Sequence, residues 1–104
     1  MSDLPPFRLD LVEGFEWDDG NTTKKGLRHG VTQAEAEAIF FHAPLLFLAD
    51  VRHSEEEPRL VAHGITAAGR RLTAAFTIRG NRVRIISARD MSRKERRAYA
   101  KAHY

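Results

Sequence analysis

Two alternating segments joined by a Gly-Asn pair constrain the fold of this chain more than any other feature of the sequence. Apolar side chains occupy every second position of the two segments: Leu72, Ala74, Phe76, Ile78, Val83 and Ile85. Such alternation is typical of strands that bury one face. The intervening Gly80-Asn81 pair is typical of a two-residue hairpin turn of type II′. The sequence therefore predicts an antiparallel hairpin over 71–88, with helices covering its apolar face.

The opposite face of this hairpin combines small residues with arginines. Its members are Thr73, Ala75, Thr77, Arg79, Arg82, Arg84 and Ile86. This composition makes a poor core but suits the floor of an RNA-binding groove. An ordinary solvated sheet face is the alternative, and the two interpretations stay open at this point. The face has no aromatic residue on which a base could stack, which argues against a stacking RNA-recognition sheet.

The remaining elements are predicted from turn signals and helix caps. Further strands are expected at 15–17, 45–51 and 59–66, and a short helix at 22–28, closed by Gly30. Thr32 and Glu35 have the spacing of a capping box, as do Ser92 and Glu95 before a basic C-terminal helix. The helix that follows Thr32 is expected to bury one face and to end at Pro44; that face comprises Ala34, Ala38 and Phe41, with Ile39 beside it.

These elements predict one α+β domain. The sheet is expected to be mainly antiparallel, with about four to five strands, two N-terminal helices and a C-terminal helix. An irregular lead-in over 1–14 precedes a single domain over 15–104, and 104 residues can bury one core. The absence of cysteine excludes disulfides and thiolate metal sites. The start of the chain lacks the pattern of a signal peptide, and no apolar run is long enough to span a membrane, so a cytoplasmic location is expected.

Charge is strongly segregated along the chain. Residues 1–58 contain 5 Lys/Arg and 12 Asp/Glu, whereas residues 59–104 contain 12 Lys/Arg and 2 Asp/Glu, so that −7 and +10 give the net +3. Ten of these 12 basic residues are arginines, whose planar guanidinium can form paired hydrogen bonds to phosphate oxygens. The second half of the chain is therefore expected to face a polyanion.

The residues that could carry chemistry are histidine, glutamate and several arginines. His29 lies in an Arg-His-Gly sequence, where it could transfer a proton near neutral pH, although a surface or helix-capping histidine is the more common case. The histidine spacings match no compact metal site, and no nucleophile or phosphate-loop motif occurs, so neither a metal nor a cofactor is expected. A metal-free site suits RNA cleavage in which the ribose 2′-hydroxyl is the nucleophile.

Several blocks of the sequence, in order, resemble the BrnT toxins. These blocks are 15–18 with Gly20-Asn21, 29–32, His53-Ser54 with Glu57 and Arg59, Gly69-Arg70, 76–80, 84–89 and 95–99. The resemblance covers Phe15 to about Tyr99. Many relatives have Lys at the position of Asn21, Asn at that of Lys25, and Lys at that of Arg28, so Lys25 is assigned to RNA binding rather than to catalysis.

The resemblance implies a RelE-like ribonuclease of a type II toxin–antitoxin pair that arrests translation by cleaving RNA. It also implies a BrnA-like antitoxin, a ribbon-helix-helix protein through which the toxin–antitoxin complex binds operator DNA. The candidate catalytic residues are His29, Glu57, Arg70, Arg79 and Arg89. The candidate RNA-binding residues are Lys25, Arg59, Arg82 and Arg84. A non-catalytic module that binds RNA or DNA is the alternative; a pure interaction domain would leave the arginines unexplained.

Hairpin topology limits which arginines can act together. Arg70 and Arg79 are expected to lie roughly 30 Å apart along one strand, at about 3.3 Å per residue. Arg89 should return to the Arg70 end, whereas Glu57, Arg59 and Arg82 should begin at the Arg79 end. One scissile phosphate cannot touch both ends, and the Arg70–Arg89 end is slightly favoured for catalysis.

Overall fold

A computed structural model describes residues 12–22, 26–42, 44–49 and 59–102 of the chain. The elements in these residues, in chain order, are β1 (Gly14–Phe15), α1 (Gln33–Ala38), β2 (Leu46–Ala49), β3 (Leu60–Ile65), β4 (Arg71–Arg79), β5 (Arg82–Asp90) and α2 (Arg93–Lys101). The fold is α+β, as the sequence predicts. Most of the predicted lead-in, residues 1–11, lies outside the described residues.

The strands form one mixed sheet in the order β1-β5-β4-β3-β2. Three neighbouring pairs are antiparallel, whereas β1 runs parallel to β5 through Gly14–Arg82 and Phe15–Val83. The predicted strand count is confirmed, and the sheet is not purely antiparallel. The parallel pair arises because the N-terminal segment runs along the outer edge of β5 and gives that edge hydrogen-bond partners.

The predicted hairpin is confirmed. Strands β4 and β5 pair from Leu72–Asp90 to Arg79–Arg82 across the Gly80-Asn81 turn. Gly80 has a φ of +61°, while Asn81 keeps a negative φ, as a type II′ turn requires. A β-bulge interrupts the register between Ala75 and Phe76, because Phe76 pairs with Ile85 and Ala75 with Ser87. Ile86 is therefore the extra residue in β5, and the inward and outward positions of this strand exchange after it.

The core lies between α1, the turn that follows it, and one face of the sheet. Its largest fully buried side chains include Phe76, Ile39, Leu72, Ile85 and Val83. Phe40 packs edge-on against Phe76, with the ring centroids 5.1 Å apart. Gly64 permits this packing, since a Cβ at that position would lie 2.8 Å from the Cβ of Ile39. This close approach fixes the end of α1 against β3.

Both predicted capping boxes are confirmed, but the predicted buried face of the first helix is wrong. The buried residues near α1 are Ala36, Ile39 and Phe40, whereas Ala34 and Phe41 are exposed, Phe41 by 74%. The predicted face is wrong because α1 ends at Ala38 and a turn follows, so the helical period does not continue to Phe41.

The second N-terminal helix, predicted for 22–28, is also wrong where the structure describes it. Leu27 forms a parallel bridge with Ala88 instead. The Arg28 N–H donates to the Ala88 carbonyl, and the Ala88 N–H donates to the Gly26 carbonyl. The backbone groups of Gly26 and Arg28 therefore form hydrogen bonds with the edge of β5, in place of the bonds that they would form within a helix. The described residues accordingly have one N-terminal and one C-terminal helix.

In the part of the chain that the structure describes, no helix combines the length and apolar character needed to cross a membrane.

Candidate active site

A groove of about 420 Å³ opens on the face of the sheet opposite the core. Its lining residues are Arg28, Arg59, Val61, Thr73, Ala75, Ser87, Arg89 and Glu95. The small side chains of β3, β4 and β5 form its floor, and arginines from three separate segments reach it. A concave site with several guanidinium groups is suited to hold a phosphate.

The β-bulge brings Arg89 into this groove. Strict alternation from Val83 and Ile85 would place Ser87 and Arg89 on the core face, whereas the extra residue Ile86 turns both to the groove. Register then places Arg89 opposite Thr73, and Ser87 opposite Ala75. The bulge therefore places Arg89 in the groove instead of on the core face.

Glu95 holds the Arg89 side chain through two hydrogen bonds. Arg89 Nη1 and Nη2 lie 2.7 and 2.9 Å from the two carboxylate oxygens, and Nη1 also donates to the Asp90 carbonyl at 3.1 Å. Glu95 at the same time accepts the Ser92 N–H in the capping box of α2. The Arg89 guanidinium, followed by this backbone N–H, lowers the pKa of Glu95 to about 2, so the carboxylate is charged at neutral pH and is a poor proton acceptor.

The Arg89 side chain keeps hydrogen-bond donors for a ligand. Its contacts with other described residues use Nη1 and one N–H of Nη2. The Nε–H and the second N–H of Nη2 have no partner among those residues. An arginine that a carboxylate orients while two of its donors remain is preorganised for an incoming phosphate.

His63 lies on the same face and is only 4% exposed. Within the described residues its Nδ1 has no hydrogen-bond partner. Burial lowers the pKa of His63; Glu95 raises it to a lesser degree, and Arg89 lowers it. His63 is therefore neutral near pH 7 and does not compete with Arg89 for Glu95.

Arg70 forms a different arrangement, at the same end of the sheet but toward α1. Its Nε and Nη2 donate to Asp90 at 2.8 and 3.1 Å, and its Nη1 donates to Glu35 at 3.1 Å. Nη2 also donates to the His29 carbonyl at 2.9 Å. The guanidinium thus has two carboxylates and a carbonyl as partners, and it does not line the groove.

His29 links the groove to the hydrogen-bonded cluster around Arg70. It has a φ of +56°, in the left-handed region that few residues other than glycine adopt. Its carbonyl is bound by Arg70, while the preceding residue, Arg28, lines the groove. The His29 side chain is exposed, and its charge contributes to lowering the pKa of Asp90, after the larger effect of the Arg70 hydrogen bond.

The remaining predicted arginines lie at the far end of the hairpin. Arg84 donates to Glu16 at 2.9 Å and to both carboxylate oxygens of Asp18 at 3.0 Å. Arg79 also reaches Glu16, at 3.4 Å. These pairs fasten the segment after β1 to the sheet. Arg82 is exposed beside Arg79, which it faces across the strands. The predicted separation of the two ends is confirmed.

The groove brings together only part of the predicted site. Of the candidates that the structure describes, Arg59 and Arg89 line it; those that do not are His29, Arg70, Arg79, Arg82 and Arg84. Glu57 and Lys25 lie outside the described residues. Arg59, expected at the Arg79 end, shares the groove with Arg89, because β3 ends its pairing at Leu60–Phe76, in the middle of β4.

Three polar groove residues were missed by the sequence-based prediction of the site: Arg28, Ser87 and Glu95. The signal for Glu95 was present, because a capping box fixes its position, and Arg89 precedes it by six residues. The described residues contain no cluster of three or more histidine, aspartate or glutamate side chains that could hold a metal ion.

A small α+β fold with an arginine-lined groove on its open sheet face has the features of a protein suited to bind a phosphate-bearing ligand. A family model described as the ribonuclease toxin BrnT of type II toxin–antitoxin systems matches residues 17–95. This match spans most of the chain, and the chain belongs to that family of ribonuclease toxins. A comparison with curated proteins finds no match.

Proposed function

We propose that this protein is an endoribonuclease that cleaves RNA without a metal ion, through attack of the ribose 2′-hydroxyl. Membership of a ribonuclease toxin family supports RNA as the substrate. The observation that carries the proposal is the groove in which Arg28, Arg59 and Arg89 converge on a floor of small side chains. Because the 2′-hydroxyl is itself the nucleophile, the protein needs no nucleophile of its own.

In the proposed reaction a base removes the proton of the 2′-hydroxyl while its oxygen attacks the adjacent phosphorus. The bond from phosphorus to the 5′-oxygen breaks, an acid protonates that oxygen, and a 2′,3′-cyclic phosphate remains. The groove arginines stabilise the negative charge that gathers on the phosphate oxygens. Arg89 would contribute through the two donors that Glu95 leaves available.

His29 is the proposed proton-transfer residue, because it follows Arg28 directly and is exposed at this end of the sheet. The second such group is proposed to be Glu57, which lies outside the described residues. Arg70 is proposed to stabilise this end of the fold without contacting the substrate, through its hydrogen bonds to two carboxylates and to the His29 carbonyl. Arg79, Arg82 and Arg84 are proposed to contact RNA or antitoxin at a distance, or to hold the fold.

The proposed cellular effect is arrest of translation in the cytoplasm, relieved by a BrnA-like ribbon-helix-helix antitoxin. The toxin–antitoxin complex would bind operator DNA through the antitoxin. The expected phenotype is growth arrest when the protein is expressed alone and recovery when the adjacent antitoxin is co-expressed. Unchanged growth and translation upon induction alone would contradict this role.

The test of the chemistry uses purified, antitoxin-free protein and a single-stranded RNA in the presence of a strong chelator. We expect cleavage to persist and to leave 2′,3′-cyclic phosphate ends. A matched oligonucleotide with a 2′-deoxy sugar at the cleavage position should resist cleavage. Activity that is lost with chelator and restored by one divalent ion would overturn the mechanism.

A further inference from the structure

The fold neutralises much of the charge that the sequence segregates. Acidic residues of the first half pair with arginines of the second half: Glu16 and Asp18 with Arg84, and Glu35 with Arg70. These arginines are therefore less available to an external anion than the sequence indicates. The remaining positive charge has to be located elsewhere on the described surface.

Helix α2 carries the largest uncompensated positive charge in the described part of the chain. Its exposed side chains include Arg93, Lys94, Arg96, Arg97 and Lys101. None of the five forms an ion pair or a side-chain hydrogen bond with another described residue, although Asp90 is influenced electrostatically by Arg96. The one acid of the helix, Glu95, is already engaged by Arg89 and Ser92.

These cations form one continuous face. Arg93, Arg97 and Lys101 follow one another at four-residue intervals, and Lys94 and Arg96 flank them. Glu95 and the buried Tyr99 lie on the opposite side, where Glu95 lines the groove. At 1.5 Å per residue the cationic face is about 12 Å long. It begins at the turn of α2 that borders the groove.

The arrangement is unfavourable for the isolated protein. Like charges at four-residue spacing repel each other, and Arg93 and Lys94 lie in the first helical turn, where the helix dipole disfavours cations. Neither feature helps α2 to fold. A polyanion bound to this face would offset both effects.

We propose that the outer face of α2 binds the phosphate backbone of RNA that extends beyond the groove. This inference rests on the proposed ribonuclease function, because it assigns the face to the same substrate. Three of the five cations are arginines, which suit phosphate oxygens. The other exposed residues of the helix are Ala98 and Ala100, and the face lacks the large apolar or aromatic anchor typical of a protein interface.

The test compares the double variant Arg93→Gln/Arg97→Gln with the matched control Ala98→Gln/Ala100→Gln. Both place two glutamines in exposed positions of α2, and glutamine is a good helix former, but only the first variant removes positive charge. Binding is measured with a single-stranded 20-nucleotide RNA whose sugars are all 2′-O-methylated, which prevents cleavage. The affinity is recorded over a range of salt concentrations.

We expect the arginine variant to bind this RNA on the order of tenfold more weakly, and the magnitude of the slope of log K against log salt to fall by about 1.4. The Ala98→Gln/Ala100→Gln control should match the wild type. Arg93→Lys/Arg97→Lys should retain most of the affinity, because the contact is to phosphate charge. Cleavage of a dinucleotide, which fills only the groove, should be the same in all variants.

Equal affinity and equal salt slope for the arginine variant and its control would overturn the proposal. It would also be overturned if the variant kept its RNA affinity but lost binding to the co-expressed antitoxin, since the face would then be a protein interface. Failure of the wild-type protein to cleave any RNA would instead count against the proposed function, because the binding measurement does not depend on cleavage.

Discussion

The two helices of this protein begin in the same way but place their arginine partners in different surroundings. In each capping box the third helical residue is a glutamate that also pairs with an arginine beside the sheet: Glu35 with Arg70, and Glu95 with Arg89. Arg70 has a second carboxylate, Asp90, and the His29 carbonyl. Arg89 has one carboxylate and faces the groove.

We propose that this difference separates a structural from a functional use of the same kind of pair. The donors of Arg70 are directed at protein groups that connect α1, the end of β5 and the backbone of His29. Arg89 is oriented by Glu95 but keeps two donors for a ligand. An arginine whose remaining donors bind other protein groups stabilises the fold. An arginine whose remaining donors face a groove is oriented to bind a ligand.

The largest effect is expected for His29, the residue that lies between the two arrangements. Asparagine tolerates the left-handed backbone conformation of this position better than alanine. His29→Asn should therefore keep the fold and reduce the single-turnover rate of RNA cleavage by on the order of 10²–10⁴-fold. His42→Asn changes another exposed histidine and serves as control. A normal rate in folded His29→Asn would show that the side chain has no part in proton transfer.

A smaller, selective effect is expected when the two capping-box glutamates are compared. Glu95→Gln and Glu35→Gln both retain an oxygen for the helix cap but weaken the ion pair. Glu95→Gln should lower the cleavage rate by about tenfold, because Arg89 loses its charged, two-point orientation. Glu35→Gln should cleave RNA as the wild type does.

The values of kcat and KM are measured separately for each variant, together with its Tm. These values distinguish an effect on the positioning of Arg89 from an effect on folding. For Glu95→Gln we expect the loss of activity in kcat rather than in KM, together with a fall in Tm, because the lowered pKa of Glu95 means that its charged form also stabilises the fold. Equal kcat values for the two variants would remove the distinction between the pairs.

The smallest effect concerns pH and the buried histidine beside the Arg89–Glu95 pair. Burial lowers the pKa of His63, so that below pH 6.5, the usual histidine value, the unfolded chain takes up the proton before the folded one. The free energy of unfolding should therefore decrease as the pH falls from 7 to 5. In His63→Gln this decrease should be smaller, as measured by urea unfolding across that range. The same pH dependence in both proteins would contradict the assignment of a neutral, buried His63.

The sequence predicted those features that depend on local rules. The hairpin of β4 and β5, both capping boxes and the separation of Arg79 from Arg89 follow from alternation, turn chemistry and cap spacing. Such features require interactions within a few residues or across one tight turn. They also sufficed to place Arg89 at the same end of the sheet as Arg70.

The sequence did not predict features that depend on tertiary packing. The bulge at Ile86 has no local signal, yet it decides that Arg89 faces the groove. The path of Gly26–Arg28 along β5 depends on an edge that needs hydrogen-bond partners, and it brings Arg28 to the site. The charge segregation predicted a broad basic surface. The fold neutralises part of that charge through pairs such as Glu16–Arg84, which join residues far apart in sequence.

The central claim is that Arg89 serves the reaction and Arg70 serves the fold, and lysine substitution at each position tests it most directly. The single-turnover rate of RNA cleavage and the Tm are measured for Arg89→Lys and Arg70→Lys under the same conditions. Lysine keeps the charge but loses the planar fork. Arg89→Lys should lose about 10²-fold in rate at nearly unchanged Tm. Arg70→Lys should cleave RNA at close to the wild-type rate and lose about 1 kcal/mol of stability, a fall of about 4–8 °C in Tm. A normal rate for Arg89→Lys, or an equal loss of rate in both variants, would contradict the assignment of the groove as the active site.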